Sequence, residues 1–260
     1  MLNKSNYFSH EMNVKYMSVS QFKSFEKCEA AALAEIDGTY AREKTTALYV
    51  GSYIDSYFEG TLKEFAENNP EIFRQRGGIL KSPYLDAHDI ISRIEKDEMF
   101  MRFLSGEKQV VMTGEIEGVD VKIKVDSLLP DKIVDLKIVK DFAPLYKEAE
   151  GKLPWYEYWR YDLQGAVYQE IVRQNTGKKL PFYLAAATKE RITDIGIWQI
   201  NQDLLDFELE KFKKTVRYYD FLKQGIVSPS RCEKCDYCKM TKILTVDNIH
   251  QSGEVLFDDK

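Results

Sequence analysis

Histidine is scarce in this sequence, and continuous hydrophobicity is scarcer still. Three histidines occur among 260 residues, at positions 10, 88 and 250. They cluster with nothing and read as surface residues. No apolar run approaches the roughly 20 residues needed to cross a bilayer, which excludes a transmembrane helix. The opening stretch MLNKSNYFSHEMN lacks the continuous apolar segment of a signal peptide. Positive charge is not in excess either: 37 Lys and Arg stand against 42 Asp and Glu, a formal net charge of -5. There is thus no overall electrostatic footprint for nucleic acid, and any DNA contact must rest on a local basic surface. Repeats and low-complexity tracts are missing as well. The expected location is the cytoplasm, where the four cysteines are not expected to form structural disulfides.

What is present is a chain long enough for a substantial core and a change of hydrophobic period part-way along it. Residues 1–16 read as a flexible N-terminal arm, 17–240 as a single domain with a helical insertion at about 60–106, and 241–260 as a C-terminal tail. Ser18 and Ser20 are candidate caps for a helix over SVSQFKSFEKCEAAALAEI, and TTALYVGSYIDSYFEGTLKEFAEN has helical spacing despite Gly51. QVVMTGEIEG, VDVKIKVDSLLP and DKIVDLKIVKDF are β-rich runs separated by turn signals. A helix over about 156–175, strands in LPFYLAAATKE and DIGIWQI, and an amphipathic helix ending at Gly225 follow. This order predicts an α/β (α+β) fold with a mixed central sheet flanked by helices.

The hairpin VDSLLPDKIVDLK carries the chemistry. With Pro130 and Asp131 at the turn, Asp126 faces Asp135 across the strands, and Lys137 shares a face with Asp135. Two carboxylates this close repel unless a proton or a cation lies between them, and a hard divalent ion such as Mg²⁺ or Mn²⁺ suits the oxygen donors. The neighbouring lysine can hold an attacking water or offset charge on a phosphate. The bland alternative is a solvated hairpin face with an incidental salt bridge.

The hairpin resembles the D…(D/E)xK signature of the PD-(D/E)XK nuclease superfamily. LYVGSYIDSYFEG resembles the GxxxH/D helix of its RecB-like branch, and WRYDLQGAVYQEI in turn resembles the QxxxY helix of that branch. The likeness is to RecE-like phage or prophage exonucleases, over about residues 18–240. It implies Asp55, Asp126 and Asp135 as metal ligands, completed by the Leu136 carbonyl, in a two-metal Mg²⁺ or Mn²⁺ site. Lys137 becomes the catalytic lysine, with Gln164 and Tyr168 on the helix face lining the site. Many relatives carry histidine where Asp55 stands. The implied activity is 5′-to-3′ exonuclease action on linear duplex DNA ends for recombination by single-strand annealing. A RecT-like annealing protein would be the partner, the host cytoplasm the location, and a homo-oligomer the assembly. An endonuclease or CRISPR-adaptation-type nuclease, or a non-catalytic zinc-stapled DNA-end-binding module, are the alternatives. Glu107 and Glu115 are weaker extras left outside the core assignment.

Cys232, Cys235 and Cys238 form C-x2-C-x2-C, and Cys28 is the other cysteine. The spacing follows the ligation of a 4Fe–4S cluster, a likeness shared with AddB-type nucleases whose last gap is longer, and zinc is the alternative. Either would staple the N-terminal helix to the C-terminal tail. Aromatic and basic residues interleave in LPWYEYWRYD, where Trp155 and Arg160 are candidates for stacking on and contacting nucleic acid; the alternative is an aromatic cluster packing the helix start. Lys211, Lys213, Lys214 and Arg217 read as a solvated helix face.

Overall fold

The structure is a computed structural model that describes residues 1–43, 45–74, 77–244 and 246. Helices α1 (His10–Lys15), α2 (Val19–Lys27), α3 (Glu29–Ile36), α4 (Thr46–Glu59), α5 (Leu62–Asn68), α6 (Ser82–Glu95) and α7 (Glu98–Phe103) open the chain. Strands β1 (Glu107–Ile116), β2 (Val119–Leu129) and β3 (Lys132–Val139) follow, then a small hairpin of β4 (Leu145–Lys147) and β5 (Gly151–Leu153). Helices α8 (Trp155–Tyr158) and α9 (Tyr161–Thr176), strands β6 (Phe182–Thr188) and β7 (Ile195–Gln199), and helices α10 (Gln202–Lys223) and α11 (Asp236–Met240) complete it.

The larger sheet runs β1-β2-β3-β6-β7, with β3 and β6 parallel and the other pairs antiparallel. This is the mixed α/β architecture the sequence predicts, and its strands lie in the expected β-rich runs. The β4–β5 hairpin was not anticipated. β1 turns into β2 through Glu117 and Gly118, both at positive φ (52° and 75°), the primed-turn geometry that matches strand twist.

Both faces of the sheet are covered because residues of β3 alternate between two apolar layers. Ile133 and Val139 pack under α2, α9 and α10, with Phe22, Val167 and Phe212. Val134 and Leu136 pack under α4, α6 and α7, with Ile54, Ile90 and Phe100. The segment 60–106, expected as an insertion, therefore supplies much of one core layer. Helix α9 lies close to the sheet because Gly165 has no side chain: a Cβ there would meet Phe182 Cδ1 at 2.4 Å. The helix expected over 156–175 breaks at Arg160, which adopts a left-handed conformation (φ 56°).

Residues 1–16 are not a free arm. Tyr7 and Met12 are buried, and Met17 bridges to Val121 on the edge of β2. Lys122, buried on β2, donates to Tyr7 O at 2.6 Å and Asn13 Oδ1 at 2.8 Å. A buried ammonium requires such acceptors, and burial draws the pKa of Lys122 down to about 8. No helix among the described residues is long and apolar enough to cross a membrane. His10 and His88 are exposed, and His250 lies outside the described residues, as does most of the expected 241–260 tail. Because the arm is packed, Tyr7→Ala should lower stability in urea unfolding by about 3 kcal/mol, as for other buried aromatics. An unchanged midpoint would mean that the arm contributes nothing.

Candidate active site

The β2–β3 hairpin turns as the sequence predicts, with Leu129 opposite Lys132, Leu128 opposite Ile133 and Ser127 opposite Val134. The ladder stops there. At the next step the Leu136 amide donates not to a strand carbonyl but to Asp126 Oδ2, at 3.0 Å. β2 then swings away from β3, and Met17 occupies its freed edge: Met17 N donates to Asp120 O and Lys122 N to Met17 O, each at 2.8 Å. Opposite the departure point, Gln109 on β1 takes a left-handed conformation (φ 54°), a costly one for a non-glycine residue. Its Nε2 donates to Asp126 Oδ1 at 3.3 Å.

The wedge between the strands gathers the hairpin residues and Asp55. Asp135 is buried, its Oδ1 accepting from Gln164 Nε2 at 2.6 Å and its Oδ2 paired with Lys137 Nζ. Lys137 also donates to Leu136 O at 3.3 Å. Asp55, in the last turns of α4, lines the same cleft as Asp126, Leu136, Lys108 and Glu59. Its Oδ1 is buried with no hydrogen-bond partner among the described residues. Tyr168, one turn after Gln164 on the same helical face, sets its ring edge-on to Phe182. The structure thus brings together Asp55, Asp126, Asp135, Leu136, Lys137, Gln164 and Tyr168.

The carboxyl groups Asp55 and Asp135 shift in one direction. Burial, then the nearby carboxylates, push Asp55 well above the usual range, and burial with Asp126 raises Asp135 to about 7 despite Lys137. Burial alone would lower the pKa of Lys137, but Asp135 and Asp126 outweigh it and hold the ammonium firmly protonated. A site in which carboxylic acids and an ammonium all cling to protons is short of positive charge. The donors are hard oxygens, and an orphaned carboxylate oxygen faces the cleft, so the set fits a hard divalent cation.

Sequence reasoning missed four residues here. Gln109 and Lys108 come from β1, and Glu59 follows Asp55 by one helical turn with its pKa raised by burial and Asp126. The i, i+4 spacing of Asp55 and Glu59 was the available signal. Lys23 on α2 packs over the Tyr161 ring at 5.1 Å, while Lys137 lies 5.0 Å from the same ring centroid. Burial and Lys137 lower Lys23 to about 7. Nothing local in the sequence marks it.

Trp155 and Arg160 are both engaged within the protein. Trp155 is only 3% exposed and sits among Phe142, Tyr161 and Trp198, so it packs the helix start and cannot serve as a stacking platform. Arg160 is held between Glu26 and Glu208, at 3.0 and 2.7 Å, and braces the break before α9. Glu107 and Glu115 are exposed on β1. Lys211 and Lys213 pair with Glu208 and Glu210 on their own helix. Away from the cleft, Cys28, Cys232, Cys235 and Cys238 converge, their Sγ atoms all within 4.8 Å of one another, a grouping able to hold a metal.

A pH dependence follows from Asp135. A cation entering the cleft must displace its proton below about pH 7 but not above. Mg²⁺ binding should therefore release more protons at pH 6 than at pH 8.5, with apparent affinity falling as pH drops below 7. Calorimetry in two buffers of different ionisation heat measures this, and equal proton release at both pH values would contradict it.

Residues 18–241 match the family described as "PDDEXK-like domain of unknown function (DUF3799)". A crystal structure from Eubacterium rectale, provisionally described as an exonuclease, is 46% identical to this chain, with a TM-score of 0.91, over 94% of this chain and 95% of that one. No curated protein matches. With the match covering most of its length, and its sheet carrying the hairpin carboxylates and lysine, the chain belongs to the PDDEXK-like family and has the PD-(D/E)XK nuclease fold.

Proposed function

We propose that this protein is a metal-dependent DNA exonuclease. The observation that carries the reading is the convergence of Asp55, Asp126, Asp135 and Lys137 in the wedge where β2 leaves β3. Asp55, Asp126, Asp135 and the Leu136 carbonyl would hold Mg²⁺ or Mn²⁺, in a two-metal arrangement. Such ions, when bound, supply an activated water and charge stabilisation for the departing oxygen of a phosphodiester. The chain's own residues do the rest. Lys137 presents an ammonium to the attacking water or the phosphate oxygens, and Asp135 holds that ammonium in place. Gln164 fixes the Asp135 carboxylate, and Tyr168 lies one turn along the same helical face. Gln109 and the Leu136 amide fix the Asp126 carboxylate. Preorganisation of this kind spares the reaction the cost of reorienting charges.

The exonuclease description of the Eubacterium rectale protein supports action at DNA ends. The resemblance to RecE-like enzymes supports the finer reading: 5′-to-3′ digestion of linear duplex DNA in the cytoplasm, feeding single strands to a RecT-like annealing protein in phage-type recombination, with a homo-oligomer around the duplex. Linear and covalently closed circular DNA, compared with and without Mg²⁺, test this. Degradation of linear DNA alone is expected, and cutting of circles would point to an endonuclease.

Asp126→Ala and Asp135→Ala should each lower Mg²⁺-dependent cleavage at least about 10³-fold while the fold persists, and Lys137→Ala about 10²–10³-fold with Mg²⁺ binding retained. Cleavage rates and Mg²⁺ titrations on the three variants check this, and near wild-type turnover by any of them would sink the assignment. Because every donor in the cleft is oxygen, Mg²⁺ or Mn²⁺ should support cleavage far better than Zn²⁺. A metal titration in which zinc is the best activator would contradict it.

A further inference from the structure

The cysteine cluster lies apart from the cleft and has its own geometry. Cys28 stands at the break between α2 and α3, Cys232 precedes α11, Cys235 caps that helix and Cys238 lies within it. The Cys28 and Cys238 sulfurs are 3.6 Å apart, those of Cys232 and Cys238 3.9 Å, and no two of the four sulfur atoms are more than 4.8 Å apart. One ion bound by four thiolates at about 2.3 Å places sulfurs about 3.8 Å apart at the corners of a tetrahedron. A 4Fe–4S core makes a different demand. Each of its thiolates sits on a separate iron and points away from the centre, so two sulfurs are separated by the iron–iron spacing plus the outward reach of two Fe–S bonds. Sulfurs in mutual contact enclose a hole for one ion, with no room for four irons and four sulfides.

We propose that Cys28, Cys232, Cys235 and Cys238 hold a single tetrahedral zinc ion, in place of the iron–sulfur cluster that the family resemblance implies. The surroundings suit a closed, structural site. Cys238 is fully buried and Cys28 nearly so, with Ala30 and Ala31 packed against them. The Cys235 amide donates to Cys232 Sγ at 3.3 Å, and the Cys238 amide to Cys235 Sγ at 3.5 Å, so main-chain N–H groups serve the sulfurs as they would thiolates. Four protein ligands fill the coordination sphere and leave no position for substrate. The same junction is closed by Ala30 N donating to Ser230 O at 3.0 Å and by Arg231 Nη2 donating to Cys238 O at 2.7 Å. Zinc here clamps the α2–α3 turn to the segment after α10.

Metal analysis of the full-length protein, purified anaerobically without chelator from cells supplied with both iron and zinc, tests this. A colourless protein with about one zinc per chain is expected. Replacement with Co²⁺ should give the intense visible bands of a tetrahedral cobalt thiolate. Asp135→Asn should keep the zinc, whereas Cys28→Ser and Cys235→Ser should each lose it. Chelation should lower the Tm of the wild type but not of a folded Cys28→Ser variant. A brown protein with about four irons and four sulfides per chain would overturn the proposal, as would a folded wild-type protein carrying neither metal. The readout is metal content, so it stands or falls apart from any nuclease activity.

Discussion

The site depends on a hydrogen bond that changes partner. At Asp126 the β2–β3 ladder gives up a main-chain acceptor, and the Asp126 carboxylate takes the Leu136 amide instead. A carboxylate in the place of a carbonyl ends the sheet pairing at that point while leaving no buried amide unsatisfied. β2 can then diverge, the segment around Met17 closes its edge, and a wedge opens that an unbroken sheet would not have. The left-handed Gln109 sits at the same position on the neighbouring strand, where the bend must be absorbed.

The wedge concentrates negative charge between two apolar layers, which is unfavourable for folding and useful for chemistry. Asp55 and Asp135 cannot all ionise together with Asp126 in a buried cleft at no cost, so their proton affinities rise. The cores that cover the two faces of β3 supply the stability that tolerates this crowding. Lys23 shows the converse effect: a buried ammonium near Lys137 loses proton affinity. Both lysines lie over the Tyr161 ring, at 5.1 and 5.0 Å from its centroid.

Helix α2 links the parts of the molecule. Its capping box at Ser18 and Gln21 fixes where it starts, directly after the Met17 bridge to β2. Phe22 and Phe25 bury one side of it against Phe212 and Tyr219 of α10, and Lys23 points toward Tyr161. The helix ends at Cys28, within the cysteine cluster. One nine-residue helix therefore runs from the sheet edge past the cleft to the thiolate cluster.

Local information determined much of this protein. The alternation of Val, Ile and Leu marked the strands of the larger sheet, and Pro130 and Asp131 fixed the hairpin register as far as Ser127 and Val134, whereas Asp126 meets β3 beyond the ladder, through the Leu136 amide. The i, i+4 spacing of Gln164 and Tyr168 put both on one helical face. Three other features were beyond its reach. Whether Trp155 faces solvent or core depends on Phe142 and Trp198, which are distant in sequence. Whether the arm is free depends on Lys122, whose buried ammonium needs the Tyr7 carbonyl. Whether Lys23 belongs to the site depends on α2 meeting α9. Sequence periodicity reports which side of an element is apolar, but not what lies across the gap, and only tertiary packing decides which charges are buried together and which of them must be paired.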